Sequence, residues 1–458
     1  MLYGIPCRGR IPTALTIAGS DSGGGAGIEA DLKTFAALGV HGLVALTSIT
    51  AQNTYSVTKV QDVDLDVIEA QIRAVAEDLG IDAAKTGMLH TSEIISRVAK
   101  VLNEYSFPLV IDPVMIAKSG AELLKPEAVD TLKSKLLPRA YVVTPNIPEA
   151  EKLSNLKIKS LDDAIKAAEE ISRYGVEAVV VKGGHLEAEY AIDVLYYKGR
   201  VWKFKAVKYN VTTTHGTGCS FSAAIAAGLA KGFDLVKAVE TAKKLVEDAI
   251  RFGLNIGRGA GPVNPLAGLY RDASKYRILI ELEEFLDRIS KLEGIERLIP
   301  EVGMNIAYVA DYPRDKNDIA AVPGRIRRLP TGGIAYLPPR FGVSDHLSRY
   351  LLKIREYDPL IKTAINIRFD ERILDILKGL NLKISFYDRR EEPEEIKRVE
   401  GATVQWGVEY AIRKAGGIVP DVIYHRGDIG KEPMIVIFGD NLDRLYEVIK
   451  RILLDLKG

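Results

Sequence analysis

The sequence predicts an α/β protein of two domains, and three observations carry that expectation. At 458 residues the chain is longer than the size at which a single hydrophobic core stops growing. From Pro12 to about residue 252, short apolar runs alternate with helical patterns, the signature of βαβ units. Residues 253 to 274 then gather Gly253, Gly257, Gly259, Gly261, Gly268, Pro262 and Pro265, the densest set of breakers in the chain. The expected division is therefore a first domain over 1–265, a linker over 266–276 and a second, smaller α/β domain over 277–458.

In the first domain the expected strands are Ala14–Ala18, Gly42–Thr50, Ala83–Thr86, Leu109–Ile111, Tyr141–Thr144 and Ala178–Lys182. Most are continuous apolar runs, as required of strands covered on both faces of a mostly parallel sheet. Helical periodicity covers Ile28–Leu38, Leu65–Leu79, Ser92–Tyr105, Pro126–Leu136 and Asp162–Tyr174, so helices flank the sheet on both faces. Ile192–Tyr197 and Val201–Tyr209, joined around Lys198-Gly199-Arg200, read as a hairpin. Helices Cys219–Lys231 and Leu235–Phe252 follow. In the second domain a helix is expected from Ser274 to Lys291. Strands are expected near Ile306–Val309, Ala364–Ile367, Lys383–Phe386, Asp421–Tyr424 and Met434–Phe438, with helices near Ser344–Arg355, Glu371–Lys378, Thr403–Lys414 and Leu442–Leu454.

Bulk properties narrow the function. The composition, 47% hydrophobic and 27% charged, is that of an ordinary globular protein. A net charge of +1 argues against a dominant nucleic-acid or membrane-surface partner. No apolar run approaches the length of a membrane span, and Arg8 and Arg10 precede no apolar signal segment, so a cytoplasmic location is expected. The two cysteines are Cys7, near the terminus, and Cys219, so no structural disulfide is expected.

Residues 215–219 read His-Gly-Thr-Gly-Cys and open an apolar, small-residue helix. The first amides of such a helix lack intrahelical partners and its dipole adds positive charge, which suits an anion. Gly216 and Gly218 allow close backbone approach. A helix start should also lower the thiol pKa of Cys219. A phosphate cradle beside an ionisable side chain suggests phosphoryl transfer; the alternative is a glycine-rich helix entry that binds nothing.

Further segments end the expected strands on one edge, where ligands bind in open α/β sheets. Ala18-Gly19-Ser20-Asp21-Ser22-Gly23-Gly24-Gly25-Ala26-Gly27 matches neither a dinucleotide fingerprint nor a P-loop. Gln52 lies in Thr-Ala-Gln-Asn-Thr, and Met88 in Lys-Thr-Gly-Met-Leu. Asp112 and Val114 lie in Asp-Pro-Val-Met, Asn146 and Glu149 in Thr-Pro-Asn-Ile-Pro-Glu, and Lys182 in Lys-Gly-Gly-His with His185. Each has an ordinary explanation: core for Met88, a loop cap for Gln52, a turn for Asp112, a satisfied loop histidine for His185. Together they place an amide, an apolar side chain, carboxylates and a lysine on one rim.

These ordered motifs, over about residues 12–265, resemble the hydroxymethylpyrimidine (phosphate) kinases of thiamine synthesis, which have the ribokinase-like fold. The resemblance implies ATP as phosphoryl donor and Mg²⁺ as its cation, with two successive phosphorylations. It implies that Gln52 meets the aminopyrimidine edge, that Met88 and Val114 flank the ring, and that Gly19 and Asp21 lie near its polar groups. Asp112, Asn146 and Glu149 would serve hydrated Mg²⁺, while Lys182 and the turn Gly216, Thr217, Gly218 would serve the phosphates. Cys219 stands where most sugar kinases of this fold carry aspartate, and would act as proton acceptor or only pack and polarise. Pyridoxal is the rival small-ring alcohol.

The second domain shows Ala321-Val322-Pro323-Gly324-Arg325-Ile326-Arg327-Arg328, then Phe341-Gly342-Val343-Ser344-Asp345-His346, and later Tyr424-His425-Arg426-Gly427-Asp428-Ile429-Gly430-Lys431-Glu432-Pro433. Arginine beside glycine in loops suits phosphate recognition, although any one arginine could be a solvated loop residue. Over about residues 280–455 these segments resemble the ThiN-type thiamine phosphate synthase. That resemblance implies condensation of the pyrimidine diphosphate with hydroxyethylthiazole phosphate. Arg325 would hold the diphosphate and His346 would contact or protonate the leaving group; Arg328, Lys431 and Asn305 are further phosphate candidates. The alternative is a module that senses thiamine phosphates without making them. A homodimer is the expected assembly.

Overall fold

The computed structural model describes residues 10–116, 120, 122–185, 190–399, 401–428 and 430–457. Cys7 and Ile429 lie outside the described residues, as does the side chain of His185. The chain divides into two compact units, Met1–Gly268 and Leu269–Gly458.

In chain order the first unit runs β1 (Thr13–Ala18), α1 (Gly27–Ala37), β2 (His41–Leu46), β3 (Ser48–Gln52), β4 (Val57–Asp62), α2 (Leu65–Asp78), β5 (Ala83–Thr86), α3 (Ser92–Leu102), β6 (Leu109–Ile111), α4 (Ala128–Thr131), β7 (Val142–Val143), α5 (Ile147–Ser154), α6 (Leu161–Ser172), β8 (Ala178–Val181), β9 (Tyr190–Tyr197), β10 (Arg200–Val207), α7 (Thr217–Ala230) and α8 (Leu235–Arg251). Eight strands form one sheet in the order β10-β9-β8-β7-β6-β5-β1-β2. The six from β8 to β2 pair in parallel, and β9 and β10 add an antiparallel edge. The parallel strands β1, β5, β6, β7 and β8 are fully buried, which explains their uninterrupted apolar runs. Two clusters fill the two faces. One contains Leu15, Ile17, Ile68, Ile95 and Ile111; the other packs Val110, Val142 and Val180 against Ala223, Ala227 and Val239 of α7 and α8. At the β9–β10 turn Lys198 and Gly199 both have positive φ, 49° and 72°, which matches the twist of a two-residue hairpin.

Three features differ from the sequence expectation. The single strand expected over Gly42–Thr50 breaks at Thr47, whose N–H donates to Ala18 O (3.0 Å) and whose hydroxyl donates to Met88 O (2.8 Å). Beyond it, β3 leaves the sheet and pairs with β4 as a separate two-stranded flap carrying Gln52. Helix α5 was not expected at all. It starts with a capping box: Asn146 Oδ1 accepts from Glu149 N–H (2.9 Å), and Glu149 Oε2 accepts from Asn146 N–H (2.8 Å). Third, α9 (Ala267–Ser290) begins within the stretch expected as linker. The lone Gly268 costs about 1 kcal/mol in a helix and does not interrupt it.

The second unit continues with β11 (Asn305–Val309), β12 (Ile319–Ala321), β13 (Arg327–Arg328), β14 (Ile334–Ala335), β15 (Arg340–Phe341), α10 (His346–Ile354), β16 (Thr363–Arg368), α11 (Glu371–Gly379), β17 (Ile384–Phe386), α12 (Glu394–Lys397), α13 (Ala402–Lys414), β18 (Val422–His425), β19 (Met434–Gly439) and α14 (Leu442–Asp455). Its seven-stranded sheet has the order β15-β12-β11-β16-β19-β18-β17 and is antiparallel except at β17–β18. One face packs Ile306, Ile365 and Ile437 against Phe285 and Ile449; the other packs Ala307, Ala364 and Val436 against Tyr350 and Val408. No described helix in either unit is long and apolar enough to cross a membrane.

Asn305 is buried at the start of β11. Its side chain closes a two-way bond with Val322, accepting from Val322 N–H (3.0 Å) and donating to Val322 O (2.9 Å). Its own N–H donates to Asn366 Oδ1 (2.7 Å). Asn305 therefore pins the turn that carries Arg325, and its amide is filled by backbone; it is not a phosphate ligand. Asn305→Leu is expected to leave both Val322 groups buried and unpaired, at about 1–3 kcal/mol each. A drop in chemical-denaturation stability checks this; an unchanged midpoint contradicts it.

Candidate functional site

Loops at the C-terminal ends of β1, β5, β6, β7 and β8, with the start of α7, enclose a cavity of about 660 Å³. The thirteen first-domain positions to which the resemblance gives a role line it: Gly19, Asp21, Gln52, Met88, Asp112, Val114, Asn146, Glu149, Lys182, Gly216, Thr217, Gly218 and Cys219. Val207, Tyr209, Val246 and Ile250 make an apolar end between β10 and α8. Such a volume accommodates a nucleotide together with a small ring.

The entry of α7 is built by close approach. Gly216 caps the helix with φ 82°, and a Cβ there would lie 1.8 Å from Gly25 O. A Cβ on Gly218 would meet Lys182 Nζ at 3.3 Å and Asp112 Oδ2 at 3.4 Å. The first turn of α7 thus faces a lysine and a carboxylate that are paired with each other, Lys182 Nζ to Asp112 Oδ1 at 3.0 Å. Burial works against the Lys182 charge, but Asp112 and Glu149 outweigh it and hold the ammonium above its usual range. Glu149 is pushed up to about 7 by burial, with Lys182 opposing and Asp112 reinforcing.

The sequence reasoning missed two groups. Lys85 is fully buried on β5, lines the cavity, and pairs with Asp31 Oδ2 at 2.8 Å; Thr16 donates to the same oxygen at 2.7 Å. Burial disfavours its charge, and Asp31, Cys219 and Asp112 together overcome that, so the ammonium stays charged. His215 Nε2 lies 2.8 Å from Asp21 Oδ2. An apolar strand interrupted by a lysine, as in Ala83-Ala84-Lys85-Thr86, was the available signal for the first; His215 stood in the quoted motif without a role.

Two sequence expectations change here. Asp21 lines the cavity, yet its carboxylate is occupied within the loop. It accepts from Gly23 N–H (2.8 Å), Gly25 N–H (3.0 Å) and Ala26 N–H (2.8 Å), besides His215. Burial would raise its pKa, and the His215 contact with the loop amides outweighs this to leave it low. Asp21 shapes the glycine loop before it meets any ligand. Cys219 was expected to have a lowered pKa at the helix start; burial instead pushes its thiol up to about 12, against the opposing pull of Lys85. Desolvation exceeds what the helix end supplies. Met88 is buried, with its Sδ 3.1 Å from where a Cβ on Gly19 would stand, so Gly19 is small because the thioether occupies its space.

In the second unit the residues that press on His346 are cationic: Arg325, Arg349, Arg389 and Lys431. Burial and these charges lower His346 to about 4, so its imidazole is neutral near pH 7 and can donate a hydrogen bond but not a stored proton. Its position at the first residue of α10 acts in the same direction. Arg325 has φ 70°, a left-handed conformation that is strained for a non-glycine residue, and its Nη1 donates to Val302 O at 2.7 Å. The same 301–302 backbone donates to the Glu432 carboxylate at 2.7 and 3.0 Å, tying the Arg325 turn to the Lys431 loop. Beneath His346 runs a buried chain: its ring meets Tyr350 at 5.2 Å, Tyr350 and Tyr387 hydroxyls bond at 2.6 Å, and Tyr387 meets His425 at 5.1 Å. Arg328 is exposed on β13 and bonded to Ile299 O at 3.2 Å. Arg349 and Arg389 were not singled out in the sequence, because nothing in their spacing marks them; His425 stood in a quoted segment without a role.

Residues 21–264 match the family model for phosphomethylpyrimidine kinase, and residues 281–451 match that for thiamine-phosphate synthase ThiN. A hydroxymethylpyrimidine/phosphomethylpyrimidine kinase of Bacillus subtilis is 50% identical over 256 residues, 56% of this chain and 94% of the relative. The thiamine biosynthesis bifunctional protein ThiED of Geobacter sulfurreducens is 46% identical over 253 residues, 55% of this chain and 52% of the relative. Among solved structures, the pyridoxal kinase from Staphylococcus aureus in complex with AMP-PCP and pyridoxal is 39% identical, with a TM-score of 0.53, over 57% of this chain and 95% of that one. The chain belongs to the phosphomethylpyrimidine kinase family and, with the ThiN domain that follows, is a multifunctional enzyme of thiamine biosynthesis.

Proposed function

We propose that the first domain transfers the γ-phosphoryl group of ATP to 4-amino-5-hydroxymethyl-2-methylpyrimidine and then to its monophosphate, and that the second domain joins the diphosphate to hydroxyethylthiazole phosphate, releasing pyrophosphate. The observation that carries the first half is the convergence of the α7 amides, Lys182 and Cys219 on one cavity rimmed by Gln52 and Met88. The α7 N-terminus and the Lys182 ammonium stabilise the charge of the transferring group, which is spread over its outer oxygens in a loose transition state. Met88 and Val114 flank the ring, and Gly19 leaves room for the Met88 thioether.

Asp112, Asn146 and Glu149 offer only hard oxygen donors. Their capping box already engages the Asn146 oxygen and one Glu149 oxygen, and no group of three or more His, Cys, Asp or Glu among the described residues could cage a metal. That set fits Mg²⁺, which keeps much of its water and is held by one or two carboxylates plus phosphates. Bound there, Mg²⁺ would neutralise phosphate charge. A thiol near 12 is protonated at neutral pH, so Cys219 aligns the substrate hydroxyl and accepts its proton only in the minor thiolate form.

The second half rests on the cations around His346. Departure of pyrophosphate sets the barrier, and Arg325 and Lys431, with Arg349 and Arg389, stabilise the leaving oxygens while His346 donates a hydrogen bond. The sensing alternative keeps the same anion site without the condensation. For the first domain the pyridoxal reading draws on the Staphylococcus aureus structure; turnover on both alcohols separates the two.

Three outcomes test these roles. Cys219→Ala is expected to lower turnover about a hundredfold, and iodoacetamide labelling of Cys219 to climb with pH beyond 9; near-normal turnover, or labelling already level at pH 8, counts against the role. Incubating wild type with the pyrimidine alcohol, Mg-ATP and thiazole phosphate is expected to yield thiamine phosphate, and Arg325→Ala to accumulate pyrimidine diphosphate instead; accumulation by wild type favours the sensing module. The NMR titration of His346 is expected to have its midpoint near 4 in the free enzyme. Pyrophosphate should move that midpoint upward, because an anion favours the imidazolium; a midpoint unmoved by pyrophosphate removes His346 from the site.

A further inference from the structure

We propose that His215 is a positioning residue that locks the side-chain amide of Gln52 in one orientation and thereby decides which way round the substrate ring is held. The proposal rests on the reading that Gln52 meets the pyrimidine edge.

It follows from hydrogen-bond donors and acceptors around three side chains. Asp21 accepts three loop amides and is an ionised carboxylate, so the His215 Nε2 that lies 2.8 Å from Asp21 Oδ2 must carry its hydrogen and donate it. The same Nε2 lies 3.2 Å from the Gln52 amide atom placed as Nε2. A nitrogen that is already donating cannot accept from an NH₂ group, so we infer that the amide is turned from that placement, its carbonyl oxygen facing His215 and sharing the hydrogen given to Asp21. The other terminal atom lies 3.5 Å from Thr50 Oγ1. Thr50 has given its hydroxyl hydrogen to Ser20 O at 2.8 Å and can only accept there, which suits the Gln52 NH₂. Both neighbours therefore select the same amide orientation. A Cβ on Gly25 would stand 2.5 Å from the His215 ring, so the imidazole is also confined sterically.

The functional consequence lies in order. An aminopyrimidine edge places a ring-nitrogen acceptor beside an amino donor, and an amide reads that pair in one sense only. A Gln52 free to rotate would accept the ring in either of two flipped poses. One pose points the hydroxymethyl group toward Gly218 and Cys219; the other points it away. Locking the amide removes the unproductive pose.

The test is a double-mutant cycle with Mg-ATP and the pyrimidine alcohol, using wild type, Gln52→Ala, His215→Phe and the double variant. His215→Phe keeps a ring and removes the N–H. It is expected to raise KM for the alcohol about tenfold while leaving KM for ATP within about twofold. In the Gln52→Ala background the same change is expected to have little further effect. Effects of His215→Phe that multiply undiminished onto those of Gln52→Ala would overturn the proposal, since His215 would then act elsewhere. An unaltered KM in Gln52→Ala alone would instead overturn the underlying reading that Gln52 meets the pyrimidine. If His215→Phe fails to fold, His215→Asn, which retains an N–H for Asp21 but is too short to reach Gln52, serves in the same cycle with the same two outcomes.

Discussion

The first domain depends on one close approach, that of Gly216 to the carbonyl of Gly25. No residue with a Cβ fits there, since the Cβ would sit 1.8 Å from the oxygen. That contact brings the α7 turn against the loop after β1, and three consequences follow from it. His215 reaches Asp21; the α7 amides open into the cavity; and Gly218 comes to rest over Lys182 and Asp112. Asp21 then closes the glycine loop from inside, because its carboxylate gathers three loop amides in addition to the imidazole. The loop contains few side chains that could hold it in shape, so one buried carboxylate supplies the restraint that the glycines lack.

The two domains handle phosphate charge by different means. In the first, each lysine is anchored to its own carboxylate, Lys182 to Asp112 and Lys85 to Asp31. Buried cations with fixed partners stay charged and stay in place, which suits a site that must hold a nucleotide in line with an acceptor. The same enclosure raises Cys219 and Glu149, the groups of the cavity that could take or share a proton. In the second, Arg325, Arg349, Arg389 and Lys431 act on one imidazole and depress it. Like charges brought together in this way repel one another, and an anion among them would relieve that repulsion.

Much of this was legible in the sequence because an α/β sheet places every strand-end loop on one edge. Seven short motifs could be assigned to a single rim without any tertiary information, and the cavity they line is continuous. The Asn-x-x-Glu spacing drew notice only through the family resemblance, whereas the structure gives it the local role of a capping box alongside any role toward a ligand. What stayed hidden depends on contacts between distant segments. The flap that carries Gln52 arises because Thr47 finds Ala18 and Met88 as partners, and nothing within Gly42–Thr50 announces that break. The pKa of Cys219 was misjudged for a related reason: the helix start is visible in sequence, whereas the depth of burial that opposes it is not. Arg349 and Arg389 lie in ordinary helical or loop contexts and become part of a site only through the fold.

Backbone strain separates structural from functional glycine neighbourhoods. The turn at Gly216 is unstrained, since glycine adopts φ 82° freely, and it serves to bring groups together. Arg325 adopts φ 70° with a full side chain, at a position directly after Gly324, which itself has φ 68°. Two successive left-handed residues turn the chain sharply, and the Asn305–Val322 pair holds that turn from below. Relaxing Arg325 would swing its guanidinium away from Val302 and from the Lys431 loop tied to the same backbone by Glu432. The strain is therefore tolerated by the packing around β11, and it fixes one arginine against the 301–302 backbone, where its charge acts on the imidazole of α10.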